Sequence, residues 1–247
     1  MSQQKLLSVT PKTTHARRLQ RLLLEYHEYR MSRDSHPLAN VINEIGQWQI
    51  KRLKKTHRHL YEEPRYHLAL DFLLEDLYSP GNFVGRDADL ERIFPKMVKL
   101  VPDQALGAVA NLVELNLLTQ KLDEHLATMH SRQGMHNNIS VASYVQSFRG
   151  CNNIAARRHQ LELISATGLQ LEKYVKSRLL KLSLNLTEKP AELAGLGQLH
   201  TFIQRGFKAF LAIGCVNELL DQVLSTESAI MERIFRGEAD PFRLTKP

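Results

Sequence analysis

The stretch from Pro102 to Ser131 constrains the fold more than any other part of the chain. It contains no internal proline, and between Ala105 and Leu118 apolar residues occupy almost every side of a helix. A helix that is apolar on all sides is buried among other helices. At 1.5 Å per residue this helix would be roughly 43 Å long. The sequence therefore predicts a long helix at the centre of a helical bundle.

The overall composition also favours helices. Leucine occurs 40 times, against 23 for valine and isoleucine together, whereas glycine (12) and proline (9) are sparse. Leucine is a good helix former, β-branched residues favour strands, and a β-rich fold needs frequent turns. We expect an all-α fold, with residues 1–247 forming one domain of about eight helices around the long helix.

Helix boundaries are indicated by turn and capping residues. A turn is expected at residues 79–82, and Asp87 is expected to cap the helix that follows it. Pro95 should break or kink that helix because proline has no backbone donor. Gly150 and Gly168 are expected weak points between residues 140 and 185. The tail at 237–247 is expected to be loose.

The net charge of +7 is distributed unevenly. Residues 1–70 contain 13 lysines and arginines and 6 acidic residues, whereas residues 71–247 contain 20 of each. The whole excess of positive charge therefore lies near the N-terminus. We expect residues 1–63 to form basic helices, and they are a candidate for a semi-independent arm.

Several classes of protein are excluded or disfavoured. No apolar run approaches the ~20 residues of a membrane span, and the first residues do not resemble a signal peptide, so we expect a cytoplasmic protein without membrane association. Two cysteines, Cys151 and Cys215, cannot build a zinc site alone. The ferritin-type, zinc-protease, P-loop and nucleophile-elbow motifs are absent. We therefore expect neither a cofactor nor a metal.

The first functional hypothesis is a non-enzymatic binding or regulatory protein. Its basic N-terminal face would engage an acidic protein or nucleic acid through ion pairs with phosphates or carboxylates. The alternative reading of these charges is a solvated helix face. The residues assigned to this face are Arg17, Arg18, Arg21, Lys51, Arg52, Lys54, Lys55 and Arg58.

The second hypothesis is an enzyme or a small-ligand-binding protein with a pocket between helices. Charged residues crowd into one helix, one turn and the start of the next, where they could surround a ligand or lock two helices together. The residues of this polar cluster are Arg65, Asp76, Tyr78, Arg86, Asp87 and Arg92. A third hypothesis is a homodimer whose apolar surface serves assembly.

One sequence block resembles a known family. Residues 72–80 read Phe-Leu-Leu-Glu-Asp-Leu-Tyr-Ser-Pro, and they are followed by Asn82-Phe83 and by Arg86-Asp87. This pattern resembles the bacterial FFLEELY proteins, in which a Phe-Phe-Leu-x-x-Leu-Tyr-Gly-Pro helix end precedes Asp-Phe and Arg-Asp.

A second block, residues 195–210, resembles the C-terminal part of the same family, so that the resemblance covers about residues 45–230. The chain differs at Leu73, Ser79 and Asn82, where the family has Phe, Gly and Asp. The resemblance implies a bacterial source and an uncharacterised domain, and it brings no activity.

Overall fold

A computed structural model describes residues 2–33, 36–78, 84–134 and 139–243. These residues contain helices and no strand, which confirms the all-α prediction. A π-helix, π1, spans Phe72–Tyr78. The α-helices are α1 (Ser2–Leu7), α2 (Thr14–Arg33), α3 (Ala39–Thr56), α4 (Arg58–Tyr61), α5 (Pro64–Asp71), α6 (Val84–Leu100), α7 (Asp103–Arg132), α8 (Val141–Gly150), α9 (Ile154–Val175), α10 (Arg178–Leu186), α11 (Glu188–Leu193), α12 (Gly197–Ile213) and α13 (Val216–Arg236).

The chain is divided into more helices than the eight that we expected. His57 separates α3 from α4, and short helices such as α10 and α11 lie between the longer ones. Gly150 ends α8 as expected. Gly168, in contrast, lies inside α9, where it leaves room for the side chain of Leu220 on α13.

Pro95 was expected to break or kink its helix, and α6 continues through this residue to Leu100, so the helix does not end there. Phe94 is fully buried in a cluster shared with α1, α2 and α7, and Leu90 and Met97 pack against the same cluster. These contacts on both sides of the proline hold the helix together although one backbone hydrogen bond is lost. Asp87 lies within the first turn of α6 rather than at its cap, and its side chain is outside the described residues.

The longest described helix is α7. It contacts α2, α3, α8 and α9. Small residues allow this close packing: Gly107 lies against the ring of His15, which leaves no free space for a larger side chain. Asp103 fixes the start of α7 by accepting hydrogen bonds from the hydroxyl of Thr13 and the backbone of Ala16 on α2. None of the helices within the described ranges is long and apolar enough to cross a membrane.

The buried apolar side chains form three clusters. The first joins α1, α2, α6 and α7. The second joins α3, α7, α8 and α13. The third joins α4, α5, π1, α9, α10, α12 and α13. Because each cluster combines helices that are distant in sequence, the N-terminal and C-terminal parts of the chain share buried surface.

The end of the described chain packs against α13 and its neighbours. Arg233 donates hydrogen bonds to the backbone oxygens of Asp240 (2.8 Å) and Arg243 (2.6 Å). Phe242 contacts the rings of Trp48 and Tyr144, with centroids 6.0 and 6.2 Å apart. These contacts involve the segment that we expected to be loose. Residues 244–247 of that segment lie outside the described residues.

The π-helix depends on a glycine of α12. Phe72 is buried and contacts Phe202 and Phe210. A Cβ atom at Gly206 would lie 2.8 Å from Cζ of Phe72. The absence of a side chain at Gly206 thus allows α12 to approach π1 closely.

We expect Gly206→Ala to lower the free energy of unfolding by about 1–3 kcal/mol, because the added methyl group overpacks the contact with Phe72. Gly197→Ala is the matched control on α12, since its Cβ would meet only Cγ of Glu192 at 3.8 Å. Urea unfolding followed by circular dichroism measures both. Equal stability of the two variants would contradict the proposed tight contact.

Candidate functional site

A cavity of about 240 Å³ lies between α3, α7, α8, α9, α13 and π1. Most of its wall is apolar and comes from leucine, isoleucine and phenylalanine side chains. The polar residues that line it are Gln49, Arg52, His57, Tyr61, Asn116, Thr119, Tyr144, Arg157, Gln160, Thr167 and Glu227. A concave apolar site with a few polar groups is the usual form of a small-molecule site.

An ion pair between α3 and α13 forms one polar part of the wall. Nη1 of Arg52 donates to both carboxylate oxygens of Glu227, at 2.5 and 2.6 Å. Nε2 of His57 lies 2.8 Å from Oε1 of the same carboxylate. His57 is only 2% exposed, and it occupies the break between α3 and α4. We refer to Arg52, His57 and Glu227 as the ion triad.

The ion triad determines the protonation of its carboxylate. Burial by itself raises the pKa of Glu227, but the charge of Arg52 and the hydrogen bonds from His57 and Arg52 outweigh it, so that the pKa lies below the ordinary glutamate value. Glu227 is thus ionised at neutral pH. Its two oxygens are already engaged by Arg52 and His57.

Arg157 is the second charged part of the wall. It is only 6% exposed, and its guanidinium carbon lies 4.1 Å from the centre of the Phe148 ring. Among the described residues, Nε and Nη2 of Arg157 have no hydrogen-bond partner. A buried charge without a partner is costly. Burial raises the pKa of Tyr144 to about 12, and the positive charge of Arg157 acts to lower it.

Other polar groups of the wall fall into two sets. Tyr144 donates to Gln49 at 2.9 Å, and Gln160 donates to Thr119 at 2.7 Å, so these groups have partners. The hydroxyl of Tyr61, Nδ1 of His57 and the hydroxyl of Thr167 have none within the described parts of the chain. Buried polar groups normally have partners, so several that lack them around one cavity need an explanation.

Of the polar cluster that the sequence suggested as a pocket, the described side chains of Arg65, Asp76 and Arg92 do not line this cavity. The contacts of three of its members are described. Arg65 pairs with Glu63 and Glu218, Asp76 lies 2.9 Å from Arg205, and Arg92 pairs with Asp89. The side chains of Tyr78, Arg86 and Asp87 are outside the described residues.

The basic residues of the first hypothesis divide into two groups. Arg18 pairs with Glu114, Arg52 belongs to the ion triad, Lys54 lies 3.6 Å from Glu75, and Arg58 pairs with Glu62. The other group is exposed and has no ion-pair partner in the described residues. Its members are Arg17, Arg21, Lys51 and Lys55.

Two charged residues at positions of apolar stripes indicate this site in the sequence, and neither functional hypothesis used their positions. Arg157 occupies the apolar stripe of α9, three residues after Ile154 and four before Leu161. Glu227 likewise stands four residues after Val223 and three before Ile230. A charged residue at a position of the apolar face is placed in the interior. Charge within an apolar stripe therefore points to the site better than crowding of charge does.

The histidine, cysteine and acidic side chains bear on metal binding. The described residues contain no group of three or more His, Cys, Asp or Glu side chains arranged to hold a metal ion. Cys151 and Cys215 are free thiols, and burial raises the pKa of Cys151 although Arg157 lowers it.

Comparison with known proteins identifies a family. A family model described as "Domain of unknown function (DUF8198)" matches residues 28–241. The chain therefore belongs to this family. No curated protein and no solved structure matches it. The family description fits the uncharacterised domain that we expected, while the FFLEELY name and the bacterial source stay predictions.

We expect Glu227→Gln to lower the free energy of unfolding by about 3 kcal/mol at pH 7, because Arg52 would stay buried without its partner charge. In the wild type the pKa of Glu227 is lower in the folded state. Its contribution is therefore complete above the unfolded value near 4.5 and is lost as pH falls through the folded value.

The variant should lack this acid-dependent component, which urea unfolding at a series of pH values measures. Glu232→Gln is the matched control, since Glu232 is an exposed residue of α13 whose nearest cation, Arg236, is 3.6 Å away. A loss of stability that is the same in both variants would rule out a special contribution from the ion triad.

Proposed function

We propose that this protein binds a small, mostly apolar molecule in the cavity between α9 and α13. The observation that carries the proposal is the cavity itself, with an apolar wall and several polar groups that have no hydrogen-bond partner among the described residues. This is the small-ligand alternative of the sequence analysis, which expected a pocket near residues 76–92, whereas the cavity that we propose is lined mainly by residues of α3, α7, α8, α9 and α13.

The volume of the cavity limits the size of the ligand. An apolar cavity of about 150 Å³ binds benzene, which has six non-hydrogen atoms. By proportion, a cavity of about 240 Å³ accepts a ligand of about ten non-hydrogen atoms. An eight-carbon chain with a polar end matches this size.

Binding without chemical conversion is the activity that the wall supports. Both oxygens of Glu227 are occupied by Arg52 and His57, and its low pKa makes it a weak base. Catalysis would need a base or nucleophile that is free to react.

The proposal treats residues 1–247 as one domain around α7. The cavity is lined by residues from Gln49 on α3 to Ile234 on α13, so it needs helices from both ends of the chain. The burial of Leu6 and Leu19 in a cluster that includes α6 and α7 supports the inclusion of residues 1–63 in this domain.

The proposal predicts that straight-chain alcohols bind and that affinity rises with chain length. Each buried methylene contributes about 0.8 kcal/mol, or about a fourfold gain in affinity, until the cavity is full. Titration calorimetry from hexanol to decanol measures this dependence. Trp48, the single tryptophan, stacks on Tyr144 at 4.0 Å and supplies an independent fluorescence readout.

Ile164→Phe tests whether the alcohols occupy this cavity. The larger side chain fills the space beside α9, so we expect octanol binding to weaken at least tenfold while the fold is retained. Ile203→Phe is the matched control, because Ile203 is 41% exposed and does not line the cavity. Absence of binding by any alcohol, or equal affinity of both variants, would overturn the proposed function.

A second candidate function is the binding of nucleic acid by the exposed basic residues Arg17, Arg21, Lys51 and Lys55. If each contacts one phosphate, the logarithm of the binding constant for duplex DNA should fall with that of the salt concentration at a slope of about −3.6. Lys51→Glu with Lys55→Glu should weaken binding, whereas Lys173→Glu with Lys208→Glu, exposed residues with the same charge change, should not. Retention of no DNA at low salt would exclude this function.

A further inference from the structure

We propose that the ligand of the cavity is a monoanion, a carboxylate with an apolar chain, and that Arg157 binds its carboxylate. This inference rests on the proposed function and names the ligand class. Arg157 belongs neither to the basic face nor to the polar cluster of the two sequence-based hypotheses. Three features of its surroundings lead to this ligand: the unpartnered donors, the charges of the wall and the apolar surface further along α9.

The two unpartnered donors of Arg157 are Nε and Nη2. In a guanidinium these two nitrogens share one edge, and their N–H bonds point in the same direction. Their spacing matches the two oxygens of a carboxylate, which they bind through two parallel hydrogen bonds. A single hydroxyl or carbonyl oxygen meets these donors with only one acceptor atom, and it carries no charge to balance the guanidinium.

The position of the guanidinium is fixed. Its carbon lies 4.1 Å from the centre of the Phe148 ring on α8, an arrangement that holds the cation through the face of the aromatic ring. The side chain is 6% exposed and lines the cavity. No acidic side chain of the described residues forms an ion pair with it, so its charge is available to a ligand inside the cavity.

The charges of the wall select a monoanion. Apart from the histidine, the charged residues among those that line the cavity are Arg52, Arg157 and Glu227. Arg52 and Glu227 compensate one another. One positive charge remains, which a carboxylate balances. A cation would be repelled, and a phosphate dianion would leave a second negative charge in an apolar surrounding.

The wall beyond Arg157 suits an apolar chain. Leu161 and Ile164 follow it by four and seven residues on the same face of α9, which places them about 6 and 10 Å along the helix axis. A carboxylate at Arg157 therefore places its hydrocarbon chain beside Leu161 and Ile164. The substitution Ile164→Phe should block the chain without touching the charged end.

The first arm of the experiment compares three eight-carbon probes, octanoate, octanol and octylamine, by titration calorimetry at pH 7. Wild-type protein should bind octanoate at least tenfold tighter than octanol, and octylamine should bind more weakly than octanol. If octanol binds as tightly as octanoate, the cavity binds apolar molecules but Arg157 does not select an anion. That result overturns this inference and leaves the proposed function standing.

If none of the three probes binds, the proposed function fails and this inference fails with it. Octanoate binding that is insensitive to Ile164→Phe would place the acid elsewhere on the protein, and it would also overturn the inference. The alcohol arm and the Ile164 variant thus separate the two failures.

The second arm changes the arginine. Arg157→Gln should remove the preference for octanoate over octanol, and Arg157→Lys should retain part of it, because a lysine keeps the charge but not the two parallel donors. Arg158→Gln is the matched control, since Arg158 is the exposed neighbour on α9. An unchanged preference in Arg157→Gln would contradict the assignment.

A stability measurement separates ligand binding from a structural contribution. In the ligand-free protein, Arg157→Met should leave the melting temperature unchanged or raise it by up to about 4 °C, because it removes a buried charge that forms no ion pair with the described residues. A fall of about 4 °C or more would mean that Arg157 supports the fold and would overturn its assignment to the ligand.

Discussion

The ion pair between Arg52 and Glu227 joins two helices that are 175 residues apart in the chain. It lies where α3 ends, and His57, which interrupts the helix, adds a hydrogen bond to the same carboxylate. The three groups satisfy one another in a half-apolar surrounding where each alone would be costly. The position of α13 against α3, and with it one wall of the cavity, depends on this interaction.

Arg157 has the opposite character. The members of the ion triad pair with one another, which lowers the free-energy cost of burying their charges. Arg157, in contrast, is buried with two N–H donors for which no described residue is the acceptor. A chain under selection for stability alone would place a leucine or methionine at this position of the α9 stripe. Stability lost at a binding site is a common consequence of function. The contrast between these two arginines separates the part of the wall that holds the fold from the part that is available to a ligand.

The sequence predicted much of the helical framework, because helix signals are local. Leucine periodicity predicted the all-α class, and the apolar residues from Ala105 to Leu118 lie within the long helix α7. α6 continues through Pro95 because the packing of Phe94 compensates for one lost hydrogen bond, and Gly168 lies inside α9 because its small size serves contact with Leu220 rather than a turn.

The cavity could not be predicted from crowding of charge, since its walls come from helices that meet only after folding. Arg65 and Arg92, which looked like site residues, pair with nearby carboxylates, whereas Arg157 is distinguished in the sequence only by its place in the apolar stripe of α9.

The block that carried the resemblance contributes to the cavity through its apolar residues. Leu73 and Leu74 of π1 line the cavity, and Phe72 anchors π1 against α12. A π-helix has a wider turn than an α-helix and is frequent at functional sites. The ion triad, Arg157 and π1 all lie within residues 28–241, the range of the family match. The complete polar wall of the cavity is therefore contained in the domain that defines the family, so the ligand site proposed for this chain is a hypothesis about that domain as a whole.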